Sequence, residues 1–308
     1  MKKLSLLFAA SFLAACGTTD QSPTAMSGKS AKDFVDAPVM HGAAEPHMHP
    51  AKGQKAQPSN GATTSALMTL HNGNILVAAK TQAIFWGSQW NTASFAGDKI
   101  TGLDSFFSGF GSSAYAATNT EYTGLNGQVS ATTTYLGHVI DTSTPPSKAL
   151  TVSGAVAEAC KITGNNPDPN GVYFIYTSTG AGHVSYCAWH SYGTCTGGKP
   201  VQVAYMPNID GIAGCDPQDT WTTHSQGLSA VASVTAHELS EAITDPRNGG
   251  WYDASGQENG DKCAWAFHAP VTFTNGSVWK LQMEWSNAAY TAGTGFLNTS
   301  GQKGCLQG

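Results

Sequence analysis

Charge is scarce in this chain: only 11% of its 308 residues are Asp, Glu, Lys or Arg, against about 25% in ordinary globular domains. Lys and Arg together number 15, and Arg247 is the single arginine. Nucleic-acid binding draws on clustered Lys and Arg to neutralise phosphate, so this composition excludes that class of partner. Charge-driven disorder is excluded too, because it combines low hydrophobicity with high net charge, and here 41% of residues are hydrophobic at a formal charge of −5. Beyond the N-terminal dozen, no apolar run approaches the roughly 18 residues of a membrane-spanning helix. Several chemical signatures are also missing. There is no G-x-S-x-G elbow for serine hydrolysis, no P-loop for nucleotide phosphates, no C-x2-C pair for a zinc ribbon and no EF-hand spacing. The 35 glycines and abundant Ser, Thr and Asn imply a surface wetted by neutral polar groups, a composition common in secreted proteins.

The N-terminus agrees with export. Lys2 and Lys3 precede an apolar stretch from Leu4 to Ala15, a length that fits a secretory signal and is too short to cross a bilayer about 30 Å thick. Leu13-Ala14-Ala15-Cys16 resembles a bacterial lipobox, in which residues 1–15 are removed and Cys16 is lipidated. Gly17, rather than Asp, follows it, which in a Gram-negative host points to the outer membrane. The plainer alternative is an ordinary cleaved signal with an incidental cysteine. Without Lys2 and Lys3, 13 basic residues face 20 acidic ones, a formal charge of −7. The expected location is the cell envelope, with the membrane as partner through lipid alone. The remaining six cysteines, Cys160, Cys187, Cys195, Cys215, Cys263 and Cys305, are most simply three disulfides in an exported chain. Proximity in sequence favours Cys263 with Cys305 and leaves the other four to pair among themselves.

Residues 16–65 lack apolar periodicity and are rich in Ser, Thr, Ala, Gly, Pro and His, which reads as a flexible tether. Within it, His47-Met48-His49 could hold copper weakly, but an accident of a solvated linker is the simpler reading. Residues 66–308 form a single domain, with no internal repeat or second linker. Strands are expected at 75–79, 82–86, 129–140, 171–178, 184–190 and 201–206, with a turn at Asn72-Gly73 and a short helix over 101–116. A monomer is the default assembly.

The segment that carries chemistry runs from Leu228 to Pro246. Leu228, Val231, Val234, Leu239, Ala242 and Ile243 recur at helical spacing, and Pro246 stops the helix. His237 and Glu241, four residues apart, project from one face, and Glu238 lies about 100° round from His237. Zinc peptidases use this geometry in H-E-x-x-H, two ligands plus a general base; here the second ligand position is a glutamate. A Gly-rich loop follows, and its Glu258 can return as a third ligand. Asp261 is an alternative ligand or a partner that orients His237. The expected site is therefore His237, Glu241 and Glu258 on Zn2+, with Glu238 as base and His190, from Cys187-Ala188-Trp189-His190, as a further ligand or hydrogen-bond donor. Calcium held structurally by the acidic loop is an alternative, and a hydrogen-bonded core His237 with solvated glutamates is the plain one. Six of the chain's twenty acids, Glu238, Glu241, Asp245, Asp253, Glu258 and Asp261, lie within residues 237–261.

Taken in order, these motifs resemble the EXORDIUM, or phosphate-induced protein, family, over roughly residues 70–305. The likeness rests on His71-Asn72-Gly73, Ile84-Phe85-Trp86-Gly87, Cys187-x-x-His190, VTAHELSEAITDP at 234–246, Trp251-Tyr252 and Glu258-x-x-Asp261-x-Cys263. It implies a secreted protein and makes H-E-L-x-E a pattern in its own right rather than a decayed peptidase motif. The fold expected from the helix motif is α+β and zincin-like, a twisted mixed sheet packed on helices that include the motif helix. The expected function is metal-dependent hydrolysis of a peptide or cell-wall substrate. The rival is a non-catalytic cell-wall or glycan-binding protein that uses some of the 8 Trp and 10 Tyr.

Overall fold

The computed structural model describes residues 46–54, 66–182 and 184–308. The signal segment, Cys16, His183 and the rest of the expected tether lie outside the described residues. Six strands form one sheet: β1 (His47–Pro50), β2 (Lys80–Trp86), β3 (Thr134–Asp141), β4 (Gly171–Thr177), β5 (Tyr186–Cys195) and β6 (Lys199–Met206), in the order β1-β5-β6-β4-β2-β3. The pairs β6–β4, β4–β2 and β2–β3 are parallel, whereas β1–β5 and β5–β6 are antiparallel. Three main helices are α1 (Lys99–Phe110), α2 (Val152–Ile162) and α3 (Gln226–Thr244). The chain is thus α+β with a mixed sheet, as its pattern of motifs implies.

The parallel strands need helices on both faces, and their side chains divide accordingly. Ala83, Phe85, Val172, Phe174, Tyr176, Ala204 and Met206 point to one face, where they meet Leu103, Phe106, Phe107 and Phe110 of α1 and Val234 and Leu239 of α3. Ile84, Tyr173, Ile175, Val203 and Tyr205 point to the other, onto Ala155 and Ala159 of α2. The two-residue alternation of a strand produces this division. All seven residues of β4 are buried, as befits a central strand covered twice.

Helix α3 is the motif helix, and from Leu228 to Thr244 every residue is buried. Its N-terminus is capped by Ser225, whose hydroxyl accepts from the Leu228 amide at 3.0 Å and itself donates to Asp98 at 2.5 Å. Asp245 ends it: its Oδ1 accepts from the amides of Gly249 and Gly250, each at 2.8 Å, and so ties the following loop to the helix C-terminus. Two turns later a single helical turn, α4 (Asn259–Lys262), presents the acidic loop.

Several local expectations differ from this architecture. Residues 75–79 are not a strand: Ile75 and Leu76 are buried, but the Leu76 amide bonds the end of α3 at the Ile243 carbonyl. The helix expected over 101–116 stops at Phe110, and Ser112 takes a left-handed φ of 60° before a separate turn over Ala114–Ala117. Helix α2 had no counterpart in the expectations. The largest correction concerns the tether. His47–Pro50 are not solvated linker but an edge strand, registered so that His47 pairs with His190 and His49 with Ala188 of β5. The disulfides are Cys160–Cys195, Cys187–Cys215 and Cys263–Cys305, three pairs as counted. No described helix is long and apolar enough to cross a membrane.

Candidate metal centre

Helix periodicity sets His237 and Glu241 one above the other on α3, with His237 Nε2 3.0 Å from Glu241 Oε1. The loop turn of α4 brings Asp261 to them: its Oδ1 lies 3.8 Å from His237 Nε2, and its amide donates to Glu241 Oε1 at 2.9 Å. This backbone contact needs a residue without a side chain next door. A Cβ on Gly260 would stand 2.7 Å from His237 Nδ1 and 2.9 Å from Glu241 Oε1. His237, Glu241 and Asp261 can therefore close around one ion. Of the sequence-derived ligands, Asp261 rather than Glu258 completes the group on His237.

Glu258 lies with other partners. Its Oε2 is 2.7 Å from His47 Nδ1 on β1 and 3.6 Å from His190 Nε2 on β5. His47, His190 and Glu258 make a second ion-sized group, and His190, Glu238 and Glu241 a third. His190 joins them through both ring nitrogens: Nδ1 is 3.1 Å from Glu238 Oε2 and 3.6 Å from Glu241 Oε2. The second imidazole of β1, His49, lies tilted against His237 with ring centroids 3.8 Å apart and stacks on Trp265 at 5.1 Å. Gln282 Nε2 donates to His49 Nε2 at 2.9 Å, while Trp265 Nε1 donates to the Pro50 carbonyl at 2.9 Å. Two residues apart on a strand, His47 and His49 share a face, and that face is turned to the cluster.

The cluster is buried. His49, His237, Glu238 and Glu258 are wholly enclosed, His190 and Glu241 are 1% exposed, and β1 lies over them. Enclosure penalises ionised carboxylates and imidazolium alike. Burial, reinforced by the neighbouring acids, holds Glu238 and Glu258 well above the usual carboxylate range, and burial with Glu241 beside it does the same to Asp261. Burial pushes Glu241 up to about 8. In the other direction, burial lowers His237 to about 3 and takes His49 and His190 well below the ordinary imidazole range. Many of these atoms also lack hydrogen bonds: His190 Nε2, both nitrogens of His237, Glu238 Oε1, both oxygens of Glu258 and Asp261 Oδ1. The short His237–Glu241 and His47–Glu258 contacts are therefore close approaches in which the N–H does not aim at the oxygen.

Neutral imidazoles and carboxylates converging without hydrogen bonds are what a divalent cation requires of its ligands. Two atoms bonded to one zinc at 2.0–2.1 Å stand roughly 3.3–3.5 Å apart at tetrahedral angles; separations of 3.6 and 3.8 Å are close to that and too long for hydrogen bonds. The buried groups can thus hold a metal ion. The surrounding acids have other duties. Asp245 holds the glycine loop, Asp253 pairs with Lys262 at 2.7 Å, and buried Glu284 accepts from Tyr115 Oη at 2.6 Å. Disulfides fasten the ligand-bearing segments: Cys187 sits three residues before His190, and Cys263 two after Asp261.

Sequence reasoning missed His47, His49 and the small Gly260. The H-x-H spacing was the signal for one strand face, but its Gly/Ser/Ala-rich surroundings carried no strand pattern. No family model matches the chain, and no curated protein matches it.

Proposed function

We propose that this chain is an exported, lipid-anchored hydrolase of the bacterial cell envelope, related to the EXORDIUM family, that uses a divalent cation, zinc in the first instance, to cleave peptide bonds. The observation that carries the reading is the convergence of His237, Glu241 and Asp261 in a buried site with Glu238, the neighbour of His237 on the same helix, within reach of it. A bound zinc ion supplies acidified water and polarises a carbonyl oxygen. The chain's own residues do the rest. His237, Glu241 and Asp261 hold the ion, and the Asp261 amide fixes the orientation of Glu241. Glu238 has one oxygen occupied by His190 and the other, Oε1, without a hydrogen bond, so Oε1 is placed to accept a proton and later return it. His190 Nδ1–H keeps that carboxylate in position. Because β1 covers the group, a substrate reaches it only when β1 leaves the edge of β5.

Most of the large aromatic residues offer the glycan-binding rival no platform, although Trp221 is 38% exposed. Trp189, Trp279, Trp285, Tyr115, Tyr122, Tyr173, Tyr176 and Tyr205 are among the most deeply buried side chains, so they are core rather than a stacking platform. Elemental analysis after exhaustive dialysis tests the reading: the protein should retain zinc and lose it in His237→Ala. A metal-free protein whose stability is unchanged by His237→Ala would refute it. Persisting peptidase activity in Glu238→Gln would overturn the assigned base alone.

A further inference from the structure

Glu241 presents its two oxygens to different neighbours. Oε1 faces His237 Nε2 and the Asp261 amide, while Oε2 lies 3.6 Å from His190 Nδ1, beside Glu238. Beyond that carboxylate, His190 Nε2 and both Glu258 oxygens are enclosed and make no hydrogen bond. His190 is also set up as a ligand. Its Nδ1 donates to Glu238 at 3.1 Å, which leaves the Nε2 lone pair free toward Glu258, the carboxylate–histidine–metal arrangement of many sites.

We propose that the cluster holds two divalent cations, one on His237, Glu241 and Asp261 and the second bound by His47, His190 and Glu258. This rests on the hydrolase reading for the first cation only. The geometry favours it: His190 Nε2 and both oxygens of Glu258 are enclosed without a hydrogen bond, and with the His47 ring nitrogen they lie close enough together to ligate one ion. Mixed imidazole and carboxylate donors suit zinc, manganese or iron(II) rather than a soft monovalent ion. The second site has a property the first lacks: His47 comes from β1, so that site exists only while β1 is paired with β5. Its cation would bind the covering strand to the sheet, and its loss would free the strand.

Zinc stoichiometry measured by elemental mass spectrometry on the full chain, stripped with chelator and dialysed against zinc, tests this. The wild type should hold two equivalents, and His47→Ala and His190→Asn one each, with the second binding step at least tenfold weaker. His47 is 18% exposed on an edge strand, so His47→Ala keeps the test alive even where His190→Asn misfolds. The manganese-loaded wild type should show an electron paramagnetic resonance spectrum broadened by dipolar coupling between two neighbouring ions, which His47→Ala converts to that of isolated ions. Hydrogen exchange of β1 amides should quicken in the same variant. One equivalent in the wild type overturns the proposal; if only His237→Ala removes that equivalent, the hydrolase site stands. No equivalents overturn both.

Discussion

Removing the cations should make the protein less stable as pH rises from 6.5 to 8, because of where protons sit in each state. In the folded, cation-free chain, burial and mutual repulsion hold Glu238, Glu258 and Asp261 protonated well beyond the ordinary carboxyl range, and Glu241 to about 8. Unfolding returns them to values near 4. Between those limits the folded state binds more protons than the unfolded one, and stability then falls with rising pH. The enclosed imidazoles of His49, His190 and His237 act oppositely. Their folded pKa values are depressed, so they make stability rise with pH, but only until the unfolded imidazoles lose their protons near 6.5. Above that point the carboxyls act alone.

Each fully protonated folded group contributes about 1.4 kcal/mol per pH unit. Glu241 alone therefore destabilises the stripped protein by about 2 kcal/mol between pH 6.5 and 8, and its three neighbours add to it with the same sign. Bound cations replace these protons, so the loaded protein should lose far less over the same interval. Glu158, raised to about 7 by burial, tilts both curves alike and cancels in the difference, whereas Glu284, raised by burial and by Glu241 and Asp261, adds to it with the same sign. Urea unfolding midpoints with zinc and with chelator, at several pH values across the window, measure that difference. It should widen steadily with pH. A stripped-protein curve that is flat or rising from 6.5 to 8, or a loaded curve equally steep, refutes the reasoning.

Three other outcomes follow from single residues. Glu238→Gln keeps the shape of the side chain and the His190 contact but removes the proton acceptor, so kcat should drop by about 10²–10⁴ with zinc content unchanged by elemental analysis. Gly260→Ala suits the local backbone, which is not left-handed there, yet its methyl would press on His237 and Glu241; zinc affinity by competitive chelator titration should fall well before the thermal midpoint does. Replacing Cys187 and Cys215 together by Ala releases a link with a sequence separation of 28, and chemical denaturation should show a loss of about 3–4 kcal/mol.

Elements with a strong repeat were the legible part of this fold. The apolar run of β4, the Val/Ala alternation of β6 and the helical spacing from Leu228 to Ile243 all give the elements observed, to within a few residues. The misses have physical causes. Ile75 and Leu76 look like strand because they are apolar and branched, but they are buried by packing under the end of α3, a tertiary contact with no local sign. Helix α2 carries few large apolar residues because alanines face the sheet: Ala155 and Ala159 let it approach closely, and small residues leave a weak periodic signal. For the site, H-E-x-x-E placed three side chains on one helix correctly, since helix geometry fixes their relation. The loop ligands could not be ranked: Glu258 and Asp261 are three residues apart on one short turn, and only the path of that turn turns Asp261 toward His237 and Glu258 toward His190. The contribution of β1 was hidden because four residues make too short a pattern to outweigh a disorder-like context.

The scarcity of charge acquires a physical meaning from the way the acids are divided. Asp253 has Lys262, Asp141 has Lys161 and Asp168 has Lys80, ordinary pairs in which each acid meets a lysine. Among the described residues, Glu238, Glu241, Glu258 and Asp261 have no lysine or arginine in salt-bridge contact, only imidazoles. Burying an unpaired ion costs several kcal/mol even after relaxation, so selection for stability alone would not assemble four such groups in one enclosed place. The covalent framework is consistent with that conflict. Two of the three disulfides fall within three residues of a cluster side chain, His190 or Asp261, where they fix the segments that carry those side chains. Cation binding then adds stability in proportion to the logarithm of its concentration over its dissociation constant. In the two-cation reading proposed above, the ions that these acids share, and not their mutual contact, are the favourable interaction.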